Sequence, residues 1–148
     1  MIVGVISDTH DLLRQEVINN LKNCEIILHA GDVCNQTILE RLQQIAPTIV
    51  VRGNNDKKLT EDIPKVFSGE LEGIRYTMVH DKRDIPRDTQ GIDLIIFGHS
   101  HKYYEECLEG VYYLNPGSCG KSRFSLPLTM AIIEVVNREI TINKISIS

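Results

Sequence analysis

The stretch MIVGVISDTH, residues 1–10, decides the fold. Ile2 to Ile6 is a short apolar run that stops abruptly at Ser7 and Asp8. An unbroken apolar run of that length reads as a strand of a parallel sheet, buried on both faces. The polar Ser7-Asp8-Thr9-His10 then falls at its carboxyl end. In an open α/β sheet that end is where ligands bind.

The same pattern recurs downstream. Asp11 to Asn23 carries Leu12, Val17, Ile18 and Leu21 near helical spacing. Glu25 to His29 predicts a second buried strand, ending at Ala30-Gly31-Asp32. Asn35 to Ile45 predicts a helix with Ile38, Leu39, Leu42 and Ile45 on one face, closed by Pro47. Thr48 to Val51 gives a third strand, ending at Gly53. Such a βαβαβ order implies a parallel sheet with right-handed crossovers.

The second half is strand-rich. Arg75 to Val79, Leu94 to Phe97, Tyr103 to Leu108, Val111 to Leu114, Met130 to Val136 and Glu139 to Ile147 all predict strands. Glu109-Gly110, Asn115-Pro116-Gly117 and Asn137-Arg138 supply turns between them. The last strand alternates only roughly, which places it at an edge open to a second copy of the chain. Two stacked sheets with helices outside accommodate both halves. No repeat or linker interrupts residues 1–148, so a single domain is expected.

Composition narrows the function. Hydrophobic residues make up 42% and charged residues 24%, an ordinary globular balance. The formal charge of −4 gives no electrostatic footprint for nucleic acid or an anionic membrane. No apolar run approaches the roughly 20 residues of a membrane helix. The start of the chain lacks a basic region, so no signal peptide is read and the cytoplasm is expected. Cys24, Cys34, Cys107 and Cys119 form no CxxC pair and read as small buried hydrophobes.

Polar clusters close five strands: Ser7 to His10, His29 to Asp32, Arg52 to Asp56, His80-Asp81 and Gly98 to His101. Asp and His are metal ligands, and an Asn carbonyl adds a hard donor. Asp8 and His10, and likewise His99 and His101, are spaced i, i+2, which on extended backbone puts both side chains on one face. Gly31, Gly53 and Gly98 precede candidate ligands and allow sharp turns or close approach. No thiolate lies in these clusters, which argues against a structural zinc site of the cysteine type. His29 reads first as a hydrogen-bonded structural residue.

Asp-x-His, Gly-Asp, Gly-Asn-x-Asp, His and Gly-His-x-His, in that order, resemble the calcineurin-like metallophosphoesterases. Asn115-Pro116-Gly117-Ser118 adds a later block, and the short length with Gly53-Asn54-Asn55-Asp56 is similar to the compact YfcE-like phosphodiesterases. The resemblance implies a four-layer α/β/β/α sandwich of mixed sheets. It implies a hydrolase that cleaves small phosphate esters, diesters first, by attack of a hydroxide held between two divalent ions. One ion would sit on Asp8, His10, Asp32 and His101, the other on Asp32, Asn54, His80 and His99. Mn²⁺ is the first choice, with Zn²⁺, Fe²⁺, Co²⁺ and Ni²⁺ as alternatives. Arg52, Arg123 and Asn54 are candidates to meet the substrate phosphate; the arginines read equally as surface charges. Asn55 occupies the slot where larger relatives carry a histidine acid, which leaves His10, positioned by Asp56, as a candidate acid. Asp56 reads equally as an Asx turn. A retromer subunit of this fold works as a scaffold, so a non-catalytic interaction module is the competing expectation.

Overall fold

The computed structural model describes residues 1–57, 59, 62–122 and 125–147. In chain order the elements are β1 (Ile2–Ile6), α1 (Gln15–Leu21), β2 (Ile26–His29), α2 (Gln36–Ile45), β3 (Thr48–Val50), β4 (Val66–Leu71), β5 (Ile74–Val79), a 3₁₀ turn (Lys82–Asp84), β6 (Leu94–Ile96), β7 (Tyr104–Leu108), β8 (Val111–Asn115), β9 (Leu128–Val136) and β10 (Glu139–Ile147). They build two five-stranded mixed sheets, ordered β10-β9-β1-β2-β3 and β4-β5-β6-β8-β7. β1, β2 and β3 run parallel in the first, and β5, β6 and β8 run parallel in the second.

Register brings the strand ends level. Ile6 lies opposite His29, and His29 opposite Val50. Met78 lies opposite Ile96, and Ile96 opposite Leu114. The candidate residues of each sheet therefore emerge in one row.

Alternation along the strands sorts apolar side chains into layers. Val3, Val5 and Leu28 of the first sheet bury against Met78, Ile96 and Leu114 of the second. Ile6 and Ile27 pack instead with Val17 and Leu21 of α1 and Leu39 and Leu42 of α2. The outer face of the second sheet, Val79, Ile95, Phe97 and Val111, is covered by Ile85 and Ile92. The sandwich is the expected one, but its fourth layer is reduced to the 3₁₀ turn and the chain after it. Among the described residues no helix is long and apolar enough to cross a membrane.

Three local readings are corrected. α1 starts at Gln15 rather than Asp11 because Arg14 is extended and its Nε donates to the Gly120 carbonyl at 2.8 Å. β4 carries no apolar run, since Ser68-Gly69-Glu70 dilutes it. It forms because residues 72–73, both with positive φ, close a hairpin onto β5. Of the cysteines, Cys24 and Cys119 are buried as expected, but Cys107 is exposed on β7 and Cys34 is half-buried.

Candidate metal centre

Pairing between parallel strands continues past their ends and fixes the loops. The Asp8 N–H donates to the Gly31 carbonyl at 3.0 Å, and the His10 N–H to the Asp32 carbonyl at 2.8 Å. Gly98 N–H donates to the His80 carbonyl at 2.9 Å. Beyond the strands the backbone is not extended, as the i, i+2 spacing had suggested. Asp8, His10, Asp32, Cys34, His99 and His101 all have positive φ, between 53° and 74°. The left-handed conformation costs a non-glycine residue roughly 1–2 kcal/mol. Alternation of left-handed and ordinary residues turns the candidate ligands inward, and strain of this kind concentrates at functional sites.

Glycine permits the closeness. A Cβ on Gly53 would lie 2.1 Å from Asp32 Oδ1, and one on Gly98 would lie 2.1 Å from Ser7 Oγ. Both positions admit only hydrogen.

Five side chains converge in the buried floor. Asp8 Oδ1 lies 4.0 Å from His10 Nε2, 3.9 Å from His80 Nε2 and 3.5 Å from His101 Nε2. Asp32 Oδ2 lies 3.9 Å from His10 Nε2 and 3.4 Å from His80 Nε2. The ligand atoms of Asp8, His10 and His101 fall within 4.8 Å of one another, as do those of Asp8, Asp32 and His80. Asp8 thus belongs to both groups, and Asp32 also faces both His10 and His80.

The donors fit a divalent cation. Asp8 Oδ1 and His10 Nε2 are buried with no hydrogen-bond partner, although buried polar atoms nearly always have one. They point at each other across a gap too long for a hydrogen bond and suited to an ion between them. Asp8 Oδ2 is satisfied, accepting from Ser7 Oγ at 2.6 Å and from the His99 N–H at 3.1 Å. His80 donates its Nδ1–H to the Ala30 carbonyl at 2.7 Å, which aims Nε2 into the site.

Electrostatics agree. Burial pushes the Asp8 carboxyl up, against the pull of His80, Ser7 and His101. Burial also opposes the Asp32 charge, but hydrogen bonds from His80 and Asn55 outweigh it and hold Asp32 well below the carboxylate range. Burial works against the His80 cation as well, yet Asp32 and Asp8 push it up to about 9. The two carboxylates thus favour positive charge in the space between them.

The remaining candidates form an exposed rim. Asn54 Oδ1 lies 3.1 Å from His80 Nε2. The His99 ring is 45% exposed and stands outside both three-residue groups, with Nδ1 3.3 Å from His80 Nε2. Asn55 grips Asp32 twice, from its N–H at 2.9 Å and from Nδ2 at 3.0 Å. Arg52 lines a cavity with Asn54, Lys57 and His99, and its own guanidinium donates to the Ile63 and Asp56 carbonyls. Arg123 lies outside the described residues.

Asp56 does not orient His10. Its Oδ2 accepts from the Asp32 and Gly53 N–H groups at 2.8 and 2.7 Å, and its Oδ1 from the Cys34 N–H at 2.7 Å. It is a positioning residue that clamps two loops, fully buried. His29 is structural, as expected: Nε2 meets Thr9 Oγ1 at 2.9 Å and Nδ1 accepts from the Gly31 N–H. Burial and the neighbouring His80 lower it to about 3, so the ring is neutral.

Three features escaped the sequence reading. Cys34 Sγ lies 3.5 Å from His10 Nδ1, although no thiol was expected near the clusters. Burial, with Asp56 and Asp32 nearby, pushes that thiol up to about 12, so it stays protonated. Ser7 bonds the adjacent Asp8, for which its place in the sequence was the only signal. Asn115, read as a turn residue, donates from Nδ2 to the Gly98 carbonyl and Ser100 Oγ, steadying the His99–His101 loop.

Comparison with known proteins supports a common origin. A family model described as the calcineurin-like phosphoesterase superfamily domain matches residues 1–138. A probable metallophosphoesterase of Methanothermobacter thermautotrophicus is 34% identical over 146 residues, covering 89% of this chain and 85% of that one. An archaeal phosphodiesterase superposes with a TM-score of 0.84 at 24% identity, over 99% of this chain and 100% of that one. Yfce, a phosphoesterase from E. coli, gives 0.75 at 21% over 100% of both chains. Vps29 from Entamoeba histolytica, complexed with Zn²⁺, gives 0.77 at 21% over 99% of both. At those identities the structural likeness is one of fold.

Proposed function

The chain belongs to the calcineurin-like phosphoesterase superfamily, and we propose that it is a metal-dependent phosphoesterase acting first on phosphodiesters. The observation that carries this reading is the buried floor, where Asp8 Oδ1 and His10 Nε2 face each other without hydrogen-bond partners. Asp8, His10, Asp32 and His101 would hold one divalent ion, and Asp32, Asn54, His80 and His99 a second. Mn²⁺ is the first choice, since mixed nitrogen and oxygen donors leave selection to availability. Two such ions, when bound, supply Lewis-acid stabilisation of the phosphoryl group and a water acidified toward neutral pH.

The protein's own residues set the rest. Asp8 and Asp32 provide the anionic charge that pairs with the cations. Ala30 and Asn55 orient His80 and Asp32 through hydrogen bonds, and Asp56 locks the loops behind them. Arg52, Lys57, Lys65 and Arg83 line the adjoining cavity of about 690 Å³ beside Asp81 and Asp84, and although Arg83 pairs with Asp81 the excess of cations favours an anionic ester. Asn55 has no proton to give, so departure of a poor leaving group lacks the usual assistance. All four cysteines are free, which suits a reducing compartment, the cytoplasm.

The test is a screen of diesters, monoesters and cyclic nucleotides with chelated, then Mn²⁺-reconstituted protein, alongside elemental analysis. Two ions per chain with hydrolysis restored by Mn²⁺ is the expected result. One ion or none, in excess Mn²⁺, overturns the dinuclear assignment. Ion binding without hydrolysis of any ester favours the scaffold instead.

A further inference from the structure

A second cavity, about 760 Å³, opens on the other side of His99. It shares Asp81, Arg83 and His99 with the cation-lined cavity over the candidate centre, so the two meet at the rim. Its character is different. Phe97, Tyr104, Leu108 and Tyr113 contribute its apolar wall, and Lys82 and Lys102 stand on it as well. Phe97 and Tyr104 form a tilted pair, ring centroids 6.1 Å apart at 50°. Tyr104 and Leu108 are 40% and 46% exposed although both are large. The carboxylates nearby are engaged: Asp81 with Arg83 at 2.6 Å, and Glu106 with the Tyr104 hydroxyl.

An apolar, aromatic groove with cations beside it is complementary to a planar ring that carries negative charge at one end. Such a ring, laid against Tyr104 at the end of the wall nearer His99, would direct an attached phosphate toward His99. Cation and aromatic groups of this kind recognise nucleobases and simple arenes by the same stacking. We propose that this cavity is a substrate subsite for a planar aromatic ester group of the phosphoester. The proposal rests on the phosphoesterase reading and adds the class of group the enzyme prefers.

Affinity tests it without turnover. Mn²⁺-loaded full-length chain is titrated with methylphosphonate, phenylphosphonate and the 5′-methylenephosphonate of adenosine. Calorimetry gives the affinities, and tyrosine emission reports on the cavity, since the chain has no tryptophan. Phenylphosphonate is expected to bind roughly tenfold more tightly than methylphosphonate, as stacking on an aromatic wall would give. Tyr104→Ala, at an exposed position, should bring that ratio toward one, Leu108→Ala, farther along the wall, should lower it less, and Tyr104→Phe should keep it. A further gain with the adenosine compound identifies a nucleoside ester; no further gain identifies a simple arene, and both support the subsite. Equal affinity for phenyl and methyl probes, or a ratio unmoved by both alanine variants, overturns the subsite alone. Failure of every phosphonate to bind overturns the phosphoester reading and the subsite with it.

Discussion

The floor and the rim of the candidate centre are built by opposite means. On the floor, Asp8, His10, Asp32 and His101 sit on left-handed backbone, buried, with loop positions set by backbone hydrogen bonds that extend the sheets. On the rim, Asn54 and Asn55 are exposed, and side-chain contacts to His80 and Asp32 hold them. The floor is held chiefly by its backbone and the rim asparagines chiefly by side chains, while His99 between them keeps the left-handed backbone of the floor. Substitutions on the floor should remove the centre, and substitutions on the rim should tune it.

The largest effect is expected from Asp32→Ala and Asp8→Ala. Asp32 is shared by both proposed ion sites, so its deletion should abolish binding of both ions and all hydrolysis, whereas deletion of Asp8 should remove the first ion and the hydrolysis that depends on it. His101→Ala should weaken one ion only. Elemental analysis after dialysis reads the difference, and full occupancy in Asp32→Ala would dissolve the distinction between floor and rim.

Next in size come the glycines. Gly53→Ala and Gly98→Ala each force a Cβ onto a side-chain oxygen 2.1 Å away. Overpacking of this kind costs roughly 1–3 kcal/mol. Thermal melts should show that loss, and metal affinity should fall with it.

Asp56→Asn probes the clamp behind the floor. An amide offers one acceptor oxygen where three N–H groups now donate to a carboxylate. Loss of a residue supporting metal ligands costs about 10–100-fold in metal affinity. An unchanged affinity would make Asp56 a turn residue and nothing more.

Asn55 tests the rim. Asn55→Ala removes the Nδ2 hydrogen bond to Asp32, keeps the one from the backbone N–H, and should lower activity less than any floor variant. In wild type, aryl diesters should be cleaved readily and alkyl esters slowly if Asn55 leaves the reaction without general acid catalysis, which is worth about 10²–10⁴-fold. A shallow dependence on leaving-group pKa would show that another residue already donates the proton. Asn55→His should flatten the dependence where the ring reaches the leaving oxygen.

The smallest effect is on pH dependence without metal. His29, lowered to about 3, takes up a proton on unfolding at acid pH. Its contribution to stability is therefore whole above 6.5 and lost as pH falls toward 3. His80, raised to about 9, contributes fully below 6.5 and loses that contribution as pH rises through about 9. Melts in chelator should peak near the ordinary histidine value of 6.5. A plateau extending past pH 9 would remove the charged His80.

Much of this was legible in the sequence. Apolar runs such as Ile2–Ile6 and the helical face of Ile38, Leu39 and Leu42 stand out because burial selects them directly. The ligand clusters stand out because Asp and His after a buried strand are costly without a role. What stayed hidden has a physical reason in each case. β4 is half exposed and exists through pairing with β5, which local composition does not encode. The left-handed backbone at Asp8 and His10 comes from tertiary hydrogen bonds to the loop after β2. Asp56 and Cys34 act through backbone proximity across 22 residues of chain, a closeness that spacing alone does not reveal.

Asp8, His10 and Asp32 belong to one sheet, and His80, His99 and His101 to the other. Between the sheets lies the apolar core, and at the site end a few hydrogen bonds cross it, among them His80 Nδ1–H to the Ala30 carbonyl and the His99 N–H to Asp8 Oδ2. An ion gripped from both sides is a rivet through that seam. Bound metal at a hundredfold excess over its dissociation constant would stabilise the closed sandwich by about 2.7 kcal/mol. Starved of metal, the chain would open more often and fall sooner to proteases, so its abundance would follow the metal supply of the cell.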